Sequence, residues 1–469
     1  MVRFFSLPVL VLLFLSMSLR AHAAPAPANG SDWPHWLGPN RDGTSPEKGL
    51  LRQWPAGGPQ VLWRAKIQQG WSVPSVAGQE VYVSFTDMTQ KRDDNKMTEG
   101  LVCLDAASGA ERWKYTYLTV PYYSRNLGWP VGGVRATPSV TQRFVYHLGT
   151  LGHLLCLERA TGKVAWEADL DTAWFPGPYQ EWKGACFSPV VEDGKLILPL
   201  LRKDSYIRPN KADTNCAALD AATGKVLWNT GASDKPEPGQ VLPAFATPLL
   251  TTIGGEKCVV RHEMNRFSIF KLADGKLLLD HEHGEEFPND NRAMDMGSPI
   301  PLNGGFVIPP GPGSLTLLTC DYAAKSAKHA WKATDGANPI YGFSILHTFM
   351  PCAGYLYGFT GSVDANNLPV SKMNLHCVDA KTGKAVWSEQ GFTLGISLIC
   401  ADGLLFVRSA QSLRLVEASP NGFAQKGSVD KLHDLPNAGG KDGGWVMPVL
   451  AHGRLYVRCP GELICYKVK

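Results

Sequence analysis

The chain has 469 residues, of which 44% are hydrophobic and 19% charged, a composition that excludes a disordered protein. The formal net charge is only +4 and no block of five consecutive Lys or Arg occurs, which argues against nucleic-acid binding. The 48 Gly and 34 Pro indicate many short strands joined by tight turns.

The first 23 residues have the pattern of a secretory signal peptide. Arg3 precedes a largely apolar run at residues 4–19, and residues 21–23 (Ala-His-Ala) offer a cleavage site. The run is short for a membrane span, and a Pro-rich segment follows it. No Cys lies at the cleavage point, so no lipid anchor is expected. We therefore expect a cleaved protein without a membrane span, in the periplasm or outside the cell.

Residues 24–60 form a leader, and a repeated segment begins after it. In each repeat an apolar strand ends in Asp or Glu, a turn with Gly follows, and the next strand carries Trp. The clear copies are residues 104–113, 157–166, 219–228 and 378–387, with weaker copies at 270–279, 321–331 and from 416. The carboxylate can accept turn N–H groups and Gly can adopt the positive φ that the turn requires. Each copy therefore predicts a β-hairpin.

A second landmark occurs once in each repeat, as a Pro followed by an apolar pair, a polar turn and a strongly apolar strand. The landmarks are Pro74, Pro138, Pro189, Pro248, Pro299, Pro351, Leu398 and Pro448. Because Pro cannot donate to a sheet ladder, we place it on the innermost edge strand, which lines a central channel. Eight units of two hairpins each predict an all-β, eight-bladed β-propeller with four-stranded antiparallel blades over residues 61–469.

The two ends of the chain predict how the ring closes. The last unit stops at residues 463–466, one strand short of a blade. The missing Trp strand occurs at residues 61–65, around Trp63. We predict that this N-terminal strand joins the last blade, which removes an open sheet edge. A seven-bladed ring with a stray unit is the alternative, and the eight landmarks disfavour it.

The 11 cysteines are an odd number, so at least one thiol has no partner within the chain. Six recur at one place in the repeat: Cys103, Cys156, Cys216, Cys320, Cys377 and Cys465. Equivalent positions in successive blades are usually too far apart for a disulfide, so we expect buried free thiols there. The sequence leaves the pairing of the others open, and the absence of Cys-x-x-C excludes haem attachment and a zinc ribbon.

Segments that lead into inner strands should surround one mouth of the channel, and several of them are rich in aromatic residues. The candidate ligand-binding residues there are Trp71, Trp129, Arg135, Trp174, Glu181, Trp182, Asn291, Asp295 and Trp445. Aromatic rings with a few charges suit a flat or sugar-like ligand, or a peptide. Packing of the sheet ends is the alternative interpretation. We assign no catalytic residue and predict no metal site.

The Leu-Asp-Ala-x-Thr-Gly-Lys-x-x-Trp copies resemble the repeats of pyrroloquinoline-quinone (PQQ) dehydrogenases and of their non-enzymatic BamB-like relatives. The resemblance covers about residues 60–469. The leader residues 33–43 are similar to a segment of exported PQQ-binding-like β-propellers. The resemblance implies the propeller fold, but it says little about function because the Trp and Gly serve packing and turns.

Quinoprotein chemistry, as the resemblance implies it, requires an Asp base, a bound Ca²⁺ and, in many alcohol dehydrogenases, a disulfide between neighbouring cysteines. This sequence has no Cys-Cys pair, and no motif places the Ca²⁺ ligands. We therefore expect a monomeric, non-catalytic scaffold without a cofactor, binding a protein, small molecule or glycan at the channel mouth. One alternative is a PQQ- and Ca²⁺-dependent alcohol or sugar oxidoreductase with a divergent site, and another is a carbohydrate-binding or carbohydrate-active propeller.

Overall fold

The computed structural model describes most of the chain from residue 31 onward. The described residues are 31–87, 97–119, 133–170, 185–199, 201–202, 215–230, 241–242, 246–263, 266–282, 297–308, 315–336, 338–340, 349–363, 369–393, 396–409, 411–433 and 446–469. They contain 37 β-strands. Within these ranges no helix has the length and apolar character needed to cross a membrane. The expected signal peptide lies outside them.

Eight four-stranded sheets form the blades, and the strands of each blade run from the channel outward as inner, second, third and outer strand. The leader contributes β1 (Thr44–Ser45), and the propeller begins with β2 (Val61–Lys66). Blade 1 contains β3 (Ser75–Ala77), β4 (Glu80–Asp87), β5 (Met97–Asp105) and β6 (Glu111–Thr119). Blade 2 contains β7 (Ser139–Val140), β8 (Phe144–Leu148), β9 (His153–Glu158) and β10 (Val164–Asp169).

Blades 3 to 5 follow the same order. Blade 3 contains β11 (Val190–Glu192), β12 (Lys195–Pro199), β14 (Cys216–Asp220) and β15 (Val226–Asn229), with β13 (Leu201–Arg202) and β16 (Val241–Leu242) as a separate pair. Blade 4 contains β17 (Leu249–Ile253), β18 (Glu256–Glu263), β19 (Arg266–Lys271) and β20 (Leu277–Glu282). Blade 5 contains β21 (Ile300–Leu302), β22 (Gly305–Ile308), β23 (Thr316–Asp321) and β24 (Ser326–Lys332), followed by the pair β25 (Thr334–Asp335) and β26 (Asn338–Pro339).

The last three blades complete the ring. Blade 6 contains β27 (Met350–Cys352), β28 (Tyr355–Val363), β29 (Pro369–Asp379) and β30 (Ala385–Thr393). Blade 7 contains β31 (Ile396–Ala401), β32 (Leu404–Ser409), β33 (Ser412–Glu417) and β34 (Gln425–Val429). Blade 8 contains β35 (Val449–Ala451), β36 (Arg454–Cys459), β37 (Glu462–Lys467) and, as its outer strand, the N-terminal β2.

Pairing of β2 with β37 confirms the predicted ring closure. The two strands are antiparallel, with Trp63 opposite Cys465 and Ala65 opposite Leu463. The first and last parts of the chain therefore share one sheet, and the eight-bladed prediction holds while the seven-bladed alternative is wrong.

The repeated Trp and Gly form one contact between successive blades. Trp63 of blade 8 donates its Nε1 hydrogen to the Ala106 carbonyl of blade 1 at 3.1 Å, and its ring covers Gly109. A Cβ atom at Gly109 would lie 2.6 Å from that ring, so only Gly fits under it. The same ring-on-glycine contact recurs in the pairs Trp113–Gly162, Trp166–Gly224, Trp228–Gly275 and Trp331–Gly383. Where blade 4 carries Leu279 in place of Trp, the facing turn of blade 5 has no Gly.

The Pro landmark lies at the start of the inner strand, as predicted, but its register differs in two blades. In blade 1, Ala77 pairs with Glu80 at the end of the inner strand, three residues after Pro74. In blade 6 the corresponding residue is Cys352, so Pro351 lies two residues later in the strand than the prediction placed it. In blade 4 the inner strand is two residues longer, so Pro248 lies five residues before the end of the strand, whereas Pro74 lies three residues before it in blade 1.

The six repeat cysteines lie in the third strands and form no disulfide, as expected; five are buried and Cys320 is half-buried. Burial raises the pKa of Cys103 and Cys156 to about 12. The sequence did not indicate the disulfide that the structure contains. Cys352 and Cys400 are bonded, and they join the inner strands of blades 6 and 7. The two cysteines lie in neighbouring blades at nearly equivalent positions. Cys352 is the last residue of β27, whereas Cys400 lies one residue before the end of β31, so an alignment of the repeats does not place them opposite each other.

Candidate functional site

The channel has two different ends. At the end that we call the floor, each inner strand turns back into the second strand of its blade. At the opposite end, which we call the mouth, the chain passes from the outer strand of one blade to the inner strand of the next. Trp71 and Arg135 stand just before the inner strands β3 and β7, so they lie at the mouth. The ligand-binding role of these two residues stays a prediction.

The structure brings Trp71 and Arg135 into contact. The Arg135 guanidinium carbon lies 5.2 Å from the centroid of the Trp71 ring, within the range of a cation–π interaction. The Trp71 amide donates to the Val134 carbonyl at 2.8 Å, which fixes the two connecting segments against each other. Both side chains are half-buried, so each keeps a surface that a ligand can reach. The other predicted mouth residues, Trp129, Trp174, Glu181, Trp182, Asn291, Asp295 and Trp445, lie outside the described residues.

Sequence reasoning missed a buried arginine that holds the Trp71 segment. Arg458, on the second strand of blade 8, donates to the carbonyl oxygens of Ser72 at 2.9 Å and Gln68 at 3.2 Å. Burial, and then the charge of nearby Arg408, lower the pKa of Arg458 to about 9, so it stays protonated at neutral pH. The signal was present in the sequence, because a charged residue interrupts an otherwise apolar strand. Arg458 therefore fixes the backbone of residues 68–72 at the mouth.

A buried polar network near the same end joins blades 1 and 2, and it also went unpredicted. His147 lies between the Ser84 hydroxyl at 2.8 Å and the Tyr117 hydroxyl at 3.2 Å. Tyr117 donates to the Glu99 carboxylate at 2.8 Å, and the Thr150 amide donates to it at 3.0 Å. Burial raises the pKa of Glu99 and lowers that of His147 to about 3. Since Ser84, Glu99 and His147 are fully buried, this network holds the blades together and cannot contact a ligand.

At the floor, the leader crosses the channel. Leader residues His35 and Arg41 border a cavity whose other wall includes Pro189, Pro248 and Ser298 of blades 3 to 5. Burial lowers the pKa of His35 to about 3, so this imidazole is neutral. The leader thereby occupies the floor end of the channel.

The described part of the chain contains no group of three or more His, Cys, Asp or Glu side chains placed to hold a metal ion. The predicted mouth residues that carry carboxylate or amide oxygens, Glu181, Asn291 and Asp295, fall outside it. The disulfide between Cys352 and Cys400 lies at the end of β27 and in β31, toward the floor, so it is remote from the mouth.

Comparisons with known proteins agree with this fold. Residues 98–300 match a family model described as outer membrane protein assembly factor BamB. No curated protein matches the sequence. Among solved structures, quinohemoprotein alcohol dehydrogenase from Comamonas testosteroni is 16% identical, with a TM-score of 0.62 over 93% of this chain and 80% of that one.

A second solved structure is quinohemoprotein alcohol dehydrogenase ADHIIG from Pseudomonas putida HK5, which is 14% identical. It aligns over 94% of this chain and 80% of that one, with a TM-score of 0.58. At these identities the similarity concerns the fold alone. The resemblance predicted from the repeats is confirmed as a similarity to the BamB family model and to the fold of these dehydrogenases, and the chain folds as an eight-bladed β-propeller.

Proposed function

We propose that the protein is an exported, non-catalytic binding scaffold that takes its ligand at the mouth of the channel. The observation that carries the proposal is the stacked pair of Trp71 and Arg135 at the one end of the channel that the leader leaves free. Export follows from the signal-peptide pattern of residues 1–23, with residues 24–60 as leader and 61–469 as propeller.

The chemistry of this pair defines the ligand. An indole face beside a guanidinium offers apolar contact and positive charge together, which suits a flat ring or peptide side chain that carries a carboxylate. Arg458 holds the backbone of residues 68–72 in place, which lowers the entropy cost of ordering this segment on binding. The site is thus preorganised for an acidic, flat ligand.

The alternative is a PQQ-dependent oxidoreductase, and the same pair supports it. PQQ is flat and carboxylated, so Trp71 would lie against its face and Arg135 would bind a carboxylate, while the cofactor would supply a hydride acceptor. The similarity in fold to two quinohemoprotein alcohol dehydrogenases favours this alternative over the carbohydrate one. Ligands for Ca²⁺ are not found among the described side chains, and we derive no reaction step through the cofactor.

The experiment combines a cofactor assay with mouth variants. The purified protein is mixed with PQQ and Ca²⁺, and dye-linked oxidation of alcohols and aldoses is measured alongside cross-linking to envelope proteins and a glycan array. We expect no dye reduction, and we expect a captured ligand whose affinity falls about tenfold in Arg135→Ala and more in Trp71→Ala.

Arg143→Ala is the matched control. Its guanidinium lies 4.7 Å from the ring of Phe144, an equivalent stacked pair at the turn between β7 and β8, on the floor side. Arg143→Ala should leave binding unchanged. Dye reduction that requires PQQ and disappears in Trp71→Ala would overturn the scaffold proposal and establish the oxidoreductase.

A further inference from the structure

The leader joins the inner strand of blade 1 through an isolated β-bridge before it turns. Trp33 and Val76 of β3 exchange both backbone hydrogen bonds, each 2.8 Å long. The Val140 amide of β7 then donates to the Pro34 carbonyl at 2.8 Å. Trp33 is fully buried, so the segment enters the channel through blades 1 and 2 with its largest side chain in the core.

A compact turn at residues 35–43 places polar side chains on the opposite blades. The Gly43 amide donates to the Leu37 carbonyl at 2.9 Å and closes the turn. Trp36 donates its Nε1 hydrogen to the Ser298 hydroxyl of blade 5 at 3.2 Å. Arg41 donates to the Val191 carbonyl at 3.2 Å and forms an ion pair of 3.1 Å with Glu192, both in blade 3.

The remaining leader residues contact blades 6 to 8. Gly43 lies so close to Met350 of blade 6 that a Cβ atom would collide with its sulfur. β1 then pairs in parallel with β31 of blade 7, with Thr44 opposite Cys400. The Glu47 carboxylate accepts hydrogen bonds of 2.9 and 3.1 Å from the Gly453 amide of blade 8.

One leader side chain spans the seam where the ring closes. Asp32, which is 2% exposed, accepts a hydrogen bond of 2.8 Å from the Gly78 amide of blade 1. Its carboxylate also lies 2.6 Å from His452 Nε2 of blade 8. The closing contact lies inside blade 8, between β37 and β2, and the chain continues from β2 into β3 of blade 1. Asp32 therefore links the C-terminal strands of blade 8 to blade 1 across the contact that closes the ring.

We propose that residues 32–54 are a tethered peptide ligand of the channel floor and act as the clasp that keeps the ring closed. The floor is then a peptide-binding site, specific for a Trp followed by a tight turn and an Arg, that the protein occupies with its own leader. The inference is independent of what binds at the mouth. It rests on contacts to seven of the eight blades, and blade 4 borders the same cavity as the leader at Pro248.

The test cuts the leader from the folded ring. A site for a specific protease is inserted between Ala56 and Gly57, which are both exposed and make no close contact there. We expect the cut fragment 24–56 to stay with the ring through size-exclusion chromatography at micromolar concentration. Because binding at the floor is reversible, an excess of synthetic peptide 31–54 should gradually replace a labelled fragment.

Point variants separate clasp contacts from incidental ones. In cut protein, Trp33→Ala should release the fragment about 100-fold faster, since a buried Trp side chain is lost. Asp32→Asn and Arg41→Ala should each speed release of the fragment and lower the melting temperature of the ring. These two variants test the proposal if Trp33→Ala does not fold. Lys48→Ala, whose side chain is 75% exposed, is the matched control and should change neither.

Two outcomes would overturn the proposal. One is release of the wild-type fragment immediately after cleavage, with the melting temperature of the ring unchanged. The other is release at the same rate in Asp32→Asn, Arg41→Ala and Lys48→Ala. Because the cut is made after folding, neither outcome depends on whether a leaderless chain can fold.

Discussion

At the scale of single residues, some turn glycines meet two requirements at once: they adopt a positive φ, and they leave room for a Trp ring of the preceding blade. Gly162 has φ of 70° and lies against the ring of Trp113 from the preceding blade. Gly194 has the same φ of 70° but nothing within 4 Å of its missing Cβ. The pair therefore separates the conformational role of Gly from its role as a contact surface for Trp.

We expect Gly194→Ala to lower the free energy of unfolding by about 1 kcal/mol, since L-residues are disfavoured at this φ. Gly162→Ala should lower it by about 2 kcal/mol more, because its methyl group would lie 2.5 Å from the Trp113 ring. Urea unfolding of both variants measures the difference. Equal losses would contradict the contact between blades.

The turn carboxylates make stability depend on pH. The Arg112 guanidinium, and then the Ser108 hydroxyl, hold the pKa of Asp105 at about 2, and turn hydrogen bonds lower the pKa of Asp220 and Asp379 as well. A folded-state pKa below the unfolded value adds stability that is present above about pH 4 and is lost as the pH falls toward 2.

We therefore expect the free energy of unfolding to fall between pH 4 and pH 2. In Asp105→Asn this fall should be smaller, because the amide keeps acceptor capacity for the turn but does not titrate. Denaturant titrations at a series of pH values provide the measurement. A slope identical to that of the wild-type protein would show that Asp105 contributes nothing to the acid sensitivity.

At the scale of elements, the inner strands are held together by more than blade-to-blade packing. The Ser75 hydroxyl donates to the Pro138 carbonyl and the Ser139 hydroxyl to the Pro189 carbonyl, each at 2.6 Å. Pro has no N–H to leave unpaired on this edge, while its carbonyl remains an acceptor for the neighbouring blade. Across blades 1 to 3 the Pro landmark thus corresponds to hydroxyl-to-carbonyl bonds between neighbouring inner strands.

The disulfide between Cys352 and Cys400 adds a covalent link to this inner layer. It closes a loop with a sequence separation of 48 residues, so removing it should lower the free energy of unfolding by about 2–4 kcal/mol. The double variant Cys352→Ser/Cys400→Ser should match the reduced wild-type protein in denaturant unfolding. A double variant as stable as the oxidised wild-type protein would rule out a stabilising role.

At the scale of the whole molecule, closure depends on β2. Trp63 in this strand and Trp331 in blade 5 are matched, since they are 8% and 9% exposed and each donates to a carbonyl of the next blade. Trp331 lies in β24, which the chain connects to β23 of its own blade and onward to blade 6. Trp63 lies in β2, which the chain connects to the leader and to blade 1, so β2 is held in blade 8 only by noncovalent contacts.

Both Trp63→Ala and Trp331→Ala should lose about 3–5 kcal/mol of unfolding free energy through the cavity they create. Only Trp63→Ala should also speed hydrogen exchange across β2, because local opening there separates the chain's start from blade 8. Exchange measured by mass spectrometry on both variants makes the comparison. Equal protection of β2 in both would mean that the seam is no weaker than the other blade contacts.

The candidate site could be predicted only in part. The positions of Trp71 and Arg135 before inner strands followed from the repeat, because the repeat fixes which end of a blade each segment reaches. Their stacking did not follow, since it depends on how two connecting segments of different blades pack. Arg458 was missed because its contacts lie 386 residues away in the chain, at Ser72.

The sequence by itself determined the hairpins, the number of blades and the closing strand, because each rests on a local pattern of Asp, Gly, Pro and Trp that recurs along the chain. Only the tertiary structure decided the shifted registers of blades 4 and 6, the disulfide and the path of the leader. Those features depend on pairs such as Trp36 and Ser298, which are 262 residues apart. No periodic pattern encodes such a pair, because a residue's neighbours across the channel are set by closure of the ring.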